Sequence, residues 1–473
     1  MNKTSLTKTK IICTIGPATS SIERIKKLAR AGMNVARLNF SHGTHEEHKQ
    51  HISNIRTASE KFGYYIPIFA DLSGPKLRIG NVEREFEVTP DDTLIITTEN
   101  IIGSPQKIST SYSSLPQDVK KGDTILIDDG YIALEVKDII GNEVHCVVTD
   151  GGIIKSRKGM NLPGVRISTP TITEKDRKDI DFALGQGIDF FALSFVRSYH
   201  DIVELKKILL QKNAHNPIIA KIEKPEAVED IDEIISHSDA VMIARGDLGV
   251  EMPTEEVPLL QKKIIEKCKK ASTPVITATQ MLESMIENTL PTRAEASDVA
   301  NAVFDGTDAV MLSAETSIGK HPSITVAMMK KIITRSERDC TPNPELFSPS
   351  LRTSQFSIDL SKAACAIALD TNASAIFAIT KTGRTARHLS KFRVQTPIYA
   401  FTENRATMSF LQMVWGVSCF ILKNLEETDV TFQEVKKFAL EQHLIEKDNI
   451  IVFVAGIPLQ TSTEVNMIKL DRV

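Results

Sequence analysis

Ile218-Ile219-Ala220-Lys221-Ile222-Glu223 is a short apolar run that ends in an amine and a carboxylate. Two later runs have the same build. Val241-Met242-Ile243-Ala244-Arg245-Gly246-Asp247 ends in a second acid at a helix entrance, and Val275-Ile276-Thr277-Ala278-Thr279 ends in a hydroxyl. Short apolar runs separated by helical patterns predict parallel strands buried on both faces. Working outward, strands are expected at 10–15, 34–39 and 66–71, then at 188–195, 217–223, 239–244, 274–279 and 308–313. Helices are expected over 21–31 and 44–62. The eight strands meet the closure number of a (β/α)8 barrel, whose chemistry lies at the C-terminal strand ends.

The alternation stops between Lys76 and Met160. That stretch is β-rich, with turn signals at Pro90-Asp91-Asp92, Asp128-Asp129-Gly130, Gly141-Asn142 and Asp150-Gly151-Gly152. An all-β block inserted after a barrel strand predicts a small lid domain over the rim. Past the proline-punctuated linker Thr341-Pro342-Asn343-Pro344, strands are expected at 375–380, 397–401, 417–422 and 449–455, enough for a doubly wound α/β sheet. The expected plan is barrel over 1–75 and 161–340, lid over 76–160, and a C-terminal α/β domain over 341–473.

Composition bounds the function class. A chain of 473 residues exceeds one ordinary core, and 41% apolar with 25% charged residues is globular usage. A net charge of −3 argues against nucleic acid or an anionic membrane as the partner. Six cysteines, none in a CxxC pair, favour a reducing compartment. The apolar stretch at Ile11-Ile12-Cys13 is too short for a signal sequence, and no run is long enough for a membrane span. A cytoplasmic location is expected.

Read in order, the strand ends carry Thr14; Arg37, Asn39 and Ser41; Asp71; Ser194; Lys221 and Glu223; Arg245 and Asp247; Thr279; Ser313 and Glu315. Residues two apart on a strand share a side, so Arg37/Asn39/Ser41 and Lys221/Glu223 each present one face. One strand-end acid alone is more often a helix cap, and one arginine or lysine more often an ion-pair partner. Recurrence at strand after strand points instead to a hard divalent cation beside an anion site, as a phosphorylated carboxylate would need.

Two motifs compete for attention. His42, His45, His48 and His51 recur every three residues, but His45-Glu46-Glu47-His48 lacks the i, i+4 spacing of zinc HExxH, so a solvated helix face is expected. No GxxxxGK[ST] loop holds nucleotide phosphates. Thr380-Lys381-Thr382-Gly383-Arg384-Thr385 follows a strand and opens a helix; a phosphate pocket and an ordinary strand-to-helix turn are equally consistent with it.

Ala36-Arg-Leu-Asn-Phe-Ser-His-Gly43, Ile222-Glu223, Ala244-Arg-Gly-Asp-Leu-Gly249, Ala278-Thr-Gln-Met-Leu-Glu-Ser284, Pro291-Thr-Arg-Ala-Glu295 and Met311-Leu-Ser-Ala-Glu-Thr316 come in the order of the pyruvate kinase signatures. The chain resembles that family from end to end. The resemblance implies transfer of the phosphoryl group of phosphoenolpyruvate to ADP, giving pyruvate and ATP at the last step of glycolysis. It implies Mg²⁺, with Mn²⁺ as the alternative, on Glu223 and Asp247. Lys221 would stabilise the enolate and phosphoryl charge, and Arg37 would clamp the phosphoryl group. Gly246, Asp247 and Thr279 would hold the substrate carboxylate, with Thr279 also in the proton relay. Asn39, Phe40, Ser41, His42, Arg78 and Lys158 would meet the nucleotide. A homotetramer is implied as well.

Two regions depart from the commonest pattern. Members that need K⁺ coordinate it near Asn39, Ser41, Asp71 and the position of Leu72, and carry a glutamate where this chain has Lys76. Leu72 and Ile79 also replace polar residues. The segment Asp71-Leu72-Ser73-Gly74-Pro75-Lys76-Leu77-Arg78-Ile79 is similar to the K⁺-independent branch, in which the lysine ammonium takes over the ion's charge. The C-terminal section resembles the effector domain, with Thr380, Lys381, Thr382, Gly383, Arg384 and Thr385 as its phosphate turn. The later loop 455–463 lacks the basic, glycine-rich pattern of a fructose 1,6-bisphosphate clamp, so a sugar monophosphate or nucleotide is as consistent as the bisphosphate. Lyases and dikinases also use phosphoenolpyruvate barrels, but no counterpart of a dikinase phosphohistidine is evident, and the β insert suits an ADP lid. A purely binding role would predict missing ligands, whereas Arg37, Lys221, Glu223, Asp247 and Thr279 are all present.

Overall fold

The computed structural model describes residues 7–346, 356–423, 427–459, 461–462 and 464–473. Eight parallel strands close a barrel: Lys10–Thr14, Val35–Asn39, Ile68–Asp71, Phe190–Leu193, Ile218–Ile222, Ala240–Ala244, Val275–Ala278 and Ala309–Leu312. Closure is made where the first strand pairs with both the second and the last, at Cys13↔Ala36 and Ile11↔Val310. The strands are apolar because they are covered on both faces: helices outside, and inside a filling that includes Phe69, Phe190 and Met242.

The outer helices begin and end where local chemistry dictates. Thr44 and Glu47 form a reciprocal capping box that starts His45–Phe62, and Thr292 with Glu295 does the same for Arg293–Asp305. In Ile22–Ala31 the buried Ile25 and Leu28 lie three apart, on the stripe that faces the barrel.

Between the third and fourth barrel strands the chain leaves to build the insert. Its six-stranded sheet includes the long hairpin Ile132–Ile140 and Glu143–Asp150, closed over its own apolar core. Asn161, at the return from the insert, donates to the Glu251 carboxylate of the barrel at 2.8 Å. That carboxylate also holds Lys224 at 2.6 Å, one residue past Glu223. The insert is therefore tied to the rim.

The C-terminal domain carries the four expected parallel strands, at Ala375–Ile379, Ile398–Thr402, Val417–Ile421 and Ile450–Ala455. It also carries a fifth, Met467–Arg472, that runs antiparallel at the edge and was not expected. Half-exposed Met-Ile-Lys-Leu-Asp-Arg mixes charge with apolar residues, as an edge strand does. The domain is joined to the barrel floor by buried polar contacts. Arg393 pairs with Asp308 at 3.1 Å, Trp415 donates its backbone N–H to Asp308 at 3.0 Å, and the buried Lys10 ammonium reaches the Val417 carbonyl at 2.7 Å. Burial pulls Lys10 down to about 8, against the opposing charges of Glu337 and Asp308. Among the described residues no helix is long and apolar enough to cross a membrane, and all six cysteines are free thiols.

Candidate active site

At the C-terminal ends of the strands a buried charge network is built from the third, second and fifth staves. Asp71 is its centre. Arg37 places Nε and Nη2 on Asp71 Oδ2, each at 2.7 Å, and donates from Nη1 to Thr14 Oγ1 at 3.0 Å. Lys221 lies across the other carboxylate oxygen at 3.1 Å. Its remaining hydrogens go to Glu223 Oε1 at 2.8 Å and Ser194 Oγ at 2.7 Å. Glu223 accepts the backbone N–H of Phe195 on its second oxygen at 2.8 Å. Lys221 and Glu223 come together because they sit two apart and share a side.

The electrostatics follow from this packing. Burial would lift the Asp71 carboxyl, but Lys221 and then Arg37 outweigh it and hold the group below the ordinary range. Lys221 is lowered by burial, yet Asp71 and Glu223 more than compensate, so its proton is held more tightly than in water. Glu223 is pushed up, first by burial, against the pull of Lys221, and then by the charge of Asp247. Within this cluster two cations, Arg37 and Lys221, face three carboxylates, Asp71, Glu223 and Asp247, one negative charge in excess.

Thr279 and Gly246 meet at the next two staves. The Gly246 N–H donates to Thr279 Oγ1 at 2.8 Å, and the hydroxyl donates to the Ala278 carbonyl at 2.6 Å. Arg245 departs from the sequence reading of a rim cation facing an anion. Its guanidinium turns to the Asp298 carboxylate at 2.7 Å and to backbone carbonyls of the neighbouring turn. A cleft of about 530 Å³ opens here, between Asp129 of the insert and Arg245, Gly246 and Asp298 of the barrel.

Phe40, Ser41 and His42 form the loop beyond Asn39, the last residue of the second strand. Asn39 Oδ1 accepts the Ser41 N–H at 3.1 Å, and Ser41 Oγ lies 3.3 Å from Ser73 Oγ. His42 has its proton affinity lowered by burial and then by Arg78, Lys76, Arg37 and Lys175, so cations from several elements converge on one point. Arg78 bridges to Gly159 and donates to the Arg157 carbonyl at 2.9 Å, while Lys158 is held by Asp128 at 2.8 Å. Lys76 is exposed, with its Cε 3.8 Å from the point a Cβ on Gly159 would occupy. Leu72 is buried, and its carbonyl accepts the Ser194 hydroxyl at 2.7 Å.

The histidines are only in part the solvated face expected: His42 and His45 are exposed and His51 is half-buried, but His48 is not. His48 is buried, stacks on Phe40 at 4.3 Å, and makes a 2.9 Å hydrogen bond to the His42 carbonyl; His45 stacks on Phe182 and meets Asp179 at 2.7 Å. Lys175, paired with Asp179, donates to the Phe40 carbonyl at 2.6 Å. These braces of the loop beyond the second strand were missed. Phe40 and Lys175 are 135 positions apart, and no local pattern links them.

In the C-terminal domain Gly383 takes φ +82, and a Cβ there would lie 3.2 Å from Leu411. Its N–H donates to Thr380 Oγ1 at 2.9 Å, which folds the 380–385 turn. A cavity of about 780 Å³ lies between Thr380, Lys381, Thr382, Arg384 and Thr385 on one side and Arg405, Thr461 and Ser462 on the other. Of the loop 455–463, Gln460 and Thr463 lie outside the described residues.

Comparison with known proteins agrees with this geometry. Residues 6–326 match the family described as pyruvate kinase, barrel domain, and residues 359–470 match pyruvate kinase, alpha/beta domain. The chain is 45% identical over 468 residues to a pyruvate kinase of Geobacillus stearothermophilus, covering 98% of this chain and 80% of the relative. It is 43% identical over 465 residues to one of Mycobacterium tuberculosis, covering 98% of both. A crystal structure of a pyruvate kinase from Cryptosporidium parvum superposes with a TM-score of 0.92 at 40% identity, covering 99% of this chain and 96% of that one. The chain belongs to the pyruvate kinase family and transfers the phosphoryl group of phosphoenolpyruvate to ADP, giving pyruvate and ATP.

Proposed function

We propose that Lys221, Arg37 and Thr279 carry this chemistry, that Gly246 and Asp247 complete the substrate site, and that Glu223 with Asp247 holds Mg²⁺ or Mn²⁺. The observation behind the reading is the buried Lys221 ammonium, engaged on all sides by Asp71, Glu223 and Ser194. The donor set suits a hard divalent cation: two carboxylates, one raised by burial and by its neighbour's charge, and one negative charge in excess. When bound, such an ion polarises the substrate oxygens and neutralises charge.

Arg37, fixed by Asp71 and Thr14, offers a positioned cation to the phosphoryl group. Lys221 faces the charge that grows on the enol oxygen as the phosphoryl group leaves. Neither has to reorganise during the reaction, which is where phosphoryl transfer gains most of its rate. Thr279 passes a proton towards the enolate methylene carbon. Asn39, Phe40, Ser41, His42, Arg78 and Lys158 take the nucleotide, a reading favoured by the cations gathered round His42. A coupled assay with Mg²⁺ tests the whole; pyruvate released at the same rate without ADP, with the phosphoryl group passing to water as phosphate, would point to hydrolysis instead.

The position near Asn39, Ser41, Asp71 and Leu72 takes no K⁺ in this reading, because the Lys76 ammonium supplies the charge. Leu72 brings no side-chain oxygen, and Lys76 is among the cations felt at His42. Equal rates are expected in K⁺ and in a large organic cation, with Lys76→Glu creating a K⁺ requirement; strong activation of the parent by K⁺ removes the idea. The turn of Thr380, Lys381, Thr382, Gly383, Arg384 and Thr385 binds a phosphorylated effector. Titration of sugar phosphates and nucleotides should shift the substrate saturation curve, and a flat response to all of them ends that part. A cytoplasmic homotetramer completes the proposal; a monomeric mass by light scattering would contradict the assembly.

A further inference from the structure

Thr279 has φ +67 and Gln280 has φ +53, two left-handed residues in succession immediately after the seventh barrel strand. A β-branched side chain in that region crowds its own carbonyl, so such a residue persists only where its surroundings hold it there. The surroundings are specific. Arg245 Nη2 donates to the Thr279 carbonyl at 2.7 Å and lies 3.4 Å from that of Gln280, while Nε reaches the Ala278 carbonyl at 3.3 Å. Nη1 is anchored on Asp298 at 2.8 Å. From the far side Glu315 accepts the Leu282 N–H at 3.2 Å and the Ser313 N–H at 2.7 Å. The turn is gripped at both ends.

We propose that Arg245 is a positioning residue: its planar guanidinium spans consecutive carbonyls and locks the strained Thr279–Gln280 turn, so that the Thr279 hydroxyl stays opposite the Gly246 N–H. The inference rests on the substrate role proposed for Thr279. Arg245 itself points away from the reacting groups, towards Asp298 and the backbone, and so acts through the turn. Lysine, a single point donor, cannot reproduce the fork. The consequence is that two loops from adjacent staves are set by one side chain, which leaves the sixth strand beside Gly246 and Asp247 and fixes the end of the seventh.

A double-mutant cycle tests it. Arg245→Lys should lower kcat about tenfold or more, with KM for ADP changed less than about twofold, since the nucleotide loop lies elsewhere. In a Thr279→Ala background the same change should cost no more than about threefold, because the group it positions is gone. Equal losses in both backgrounds would overturn the proposal, as would parent-like kcat in Arg245→Lys when Thr279→Ala is impaired. Parent-like kcat in Thr279→Ala would instead sink the role of Thr279, and the function of the clamp with it. Should Arg245→Lys not fold, Asp298→Asn, which loosens the anchor, must show the same non-additivity on a several-fold scale or the clamp is refuted.

Discussion

Lys221→Gln is expected to lower kcat by about 10²–10³-fold, the loss seen when one pre-positioned donor to a developing negative charge is removed. The amide is one atom shorter than the lysine side chain and keeps an N–H donor but not the charge. Substrate and product states gain less from the ammonium than the state in which the enol oxygen takes up charge, so the loss falls mainly on kcat. KM for ADP should stay within a few-fold, because the loop proposed to take the nucleotide is braced separately by His48 and Lys175. Removing the cation also leaves Glu223 and Asp247 without their internal counter-charge, so less divalent ion should be needed for half-maximal activity. Steady-state kinetics at saturating and limiting Mg²⁺ measure both effects. A kcat within threefold of the parent would refute the role given to Lys221.

Asp71→Ala should be the most destabilising single change at the rim. It strips the shared carboxylate from Arg37 and Lys221 and leaves two neighbouring buried cations facing each other. Breaking a buried pair in this way typically costs about 3–5 kcal/mol. The effect has a defined pH sign. The folded Asp71 carboxyl is held below 3.8, chiefly by Lys221 and then Arg37, which together outweigh the opposing effect of burial. Its stabilisation is therefore complete above pH 3.8 and is lost as pH falls through the lower folded value. Urea midpoints of parent and variant should differ widely at pH 7 and converge in strong acid. A constant gap across that range would mean that Asp71 acts by packing rather than by charge.

Much of the site was legible in the sequence, and the reason is the regularity of the barrel. A strand end in this fold is an address: once the runs ending at Asp71, Glu223, Ala244 and Thr279 are identified as staves, their terminal side chains have nowhere to go but one rim. The i, i+2 rule then puts Lys221 beside Glu223. The family motifs, lying on these same ends, agree with the reading for the same reason. A β-rich insert was also visible, as a change of hydrophobic period after the third stave; its short helix Leu115–Asp118 was not.

Direction and partnership were not legible. Arg245 was counted as a rim cation because its position is a strand end, yet its side chain leaves the rim for Asp298, on a helix more than fifty residues later. The histidines were assigned to a solvated face because their three-residue spacing says only that they share one side of a helix; what packs on His48 is Phe40, and on His45 Phe182, which lies more than 130 residues later on the helix Glu174–Gly185. The antiparallel edge strand Met467–Arg472 carries mixed polarity that matches no clear period, and only its pairing with Ile450–Ala455 makes it a strand.

By itself the order of residues determined the number of staves, the place of the insert and which ionisable groups end up on one rim, since these follow from short-range periodicity and the geometry of parallel strands. Tertiary structure alone decided which of those groups pair, which proton is held tightly, and which turn is forced left-handed. Those outcomes depend on distances of about three ångströms between segments far apart in the chain, where charge, burial and backbone strain are balanced against one another.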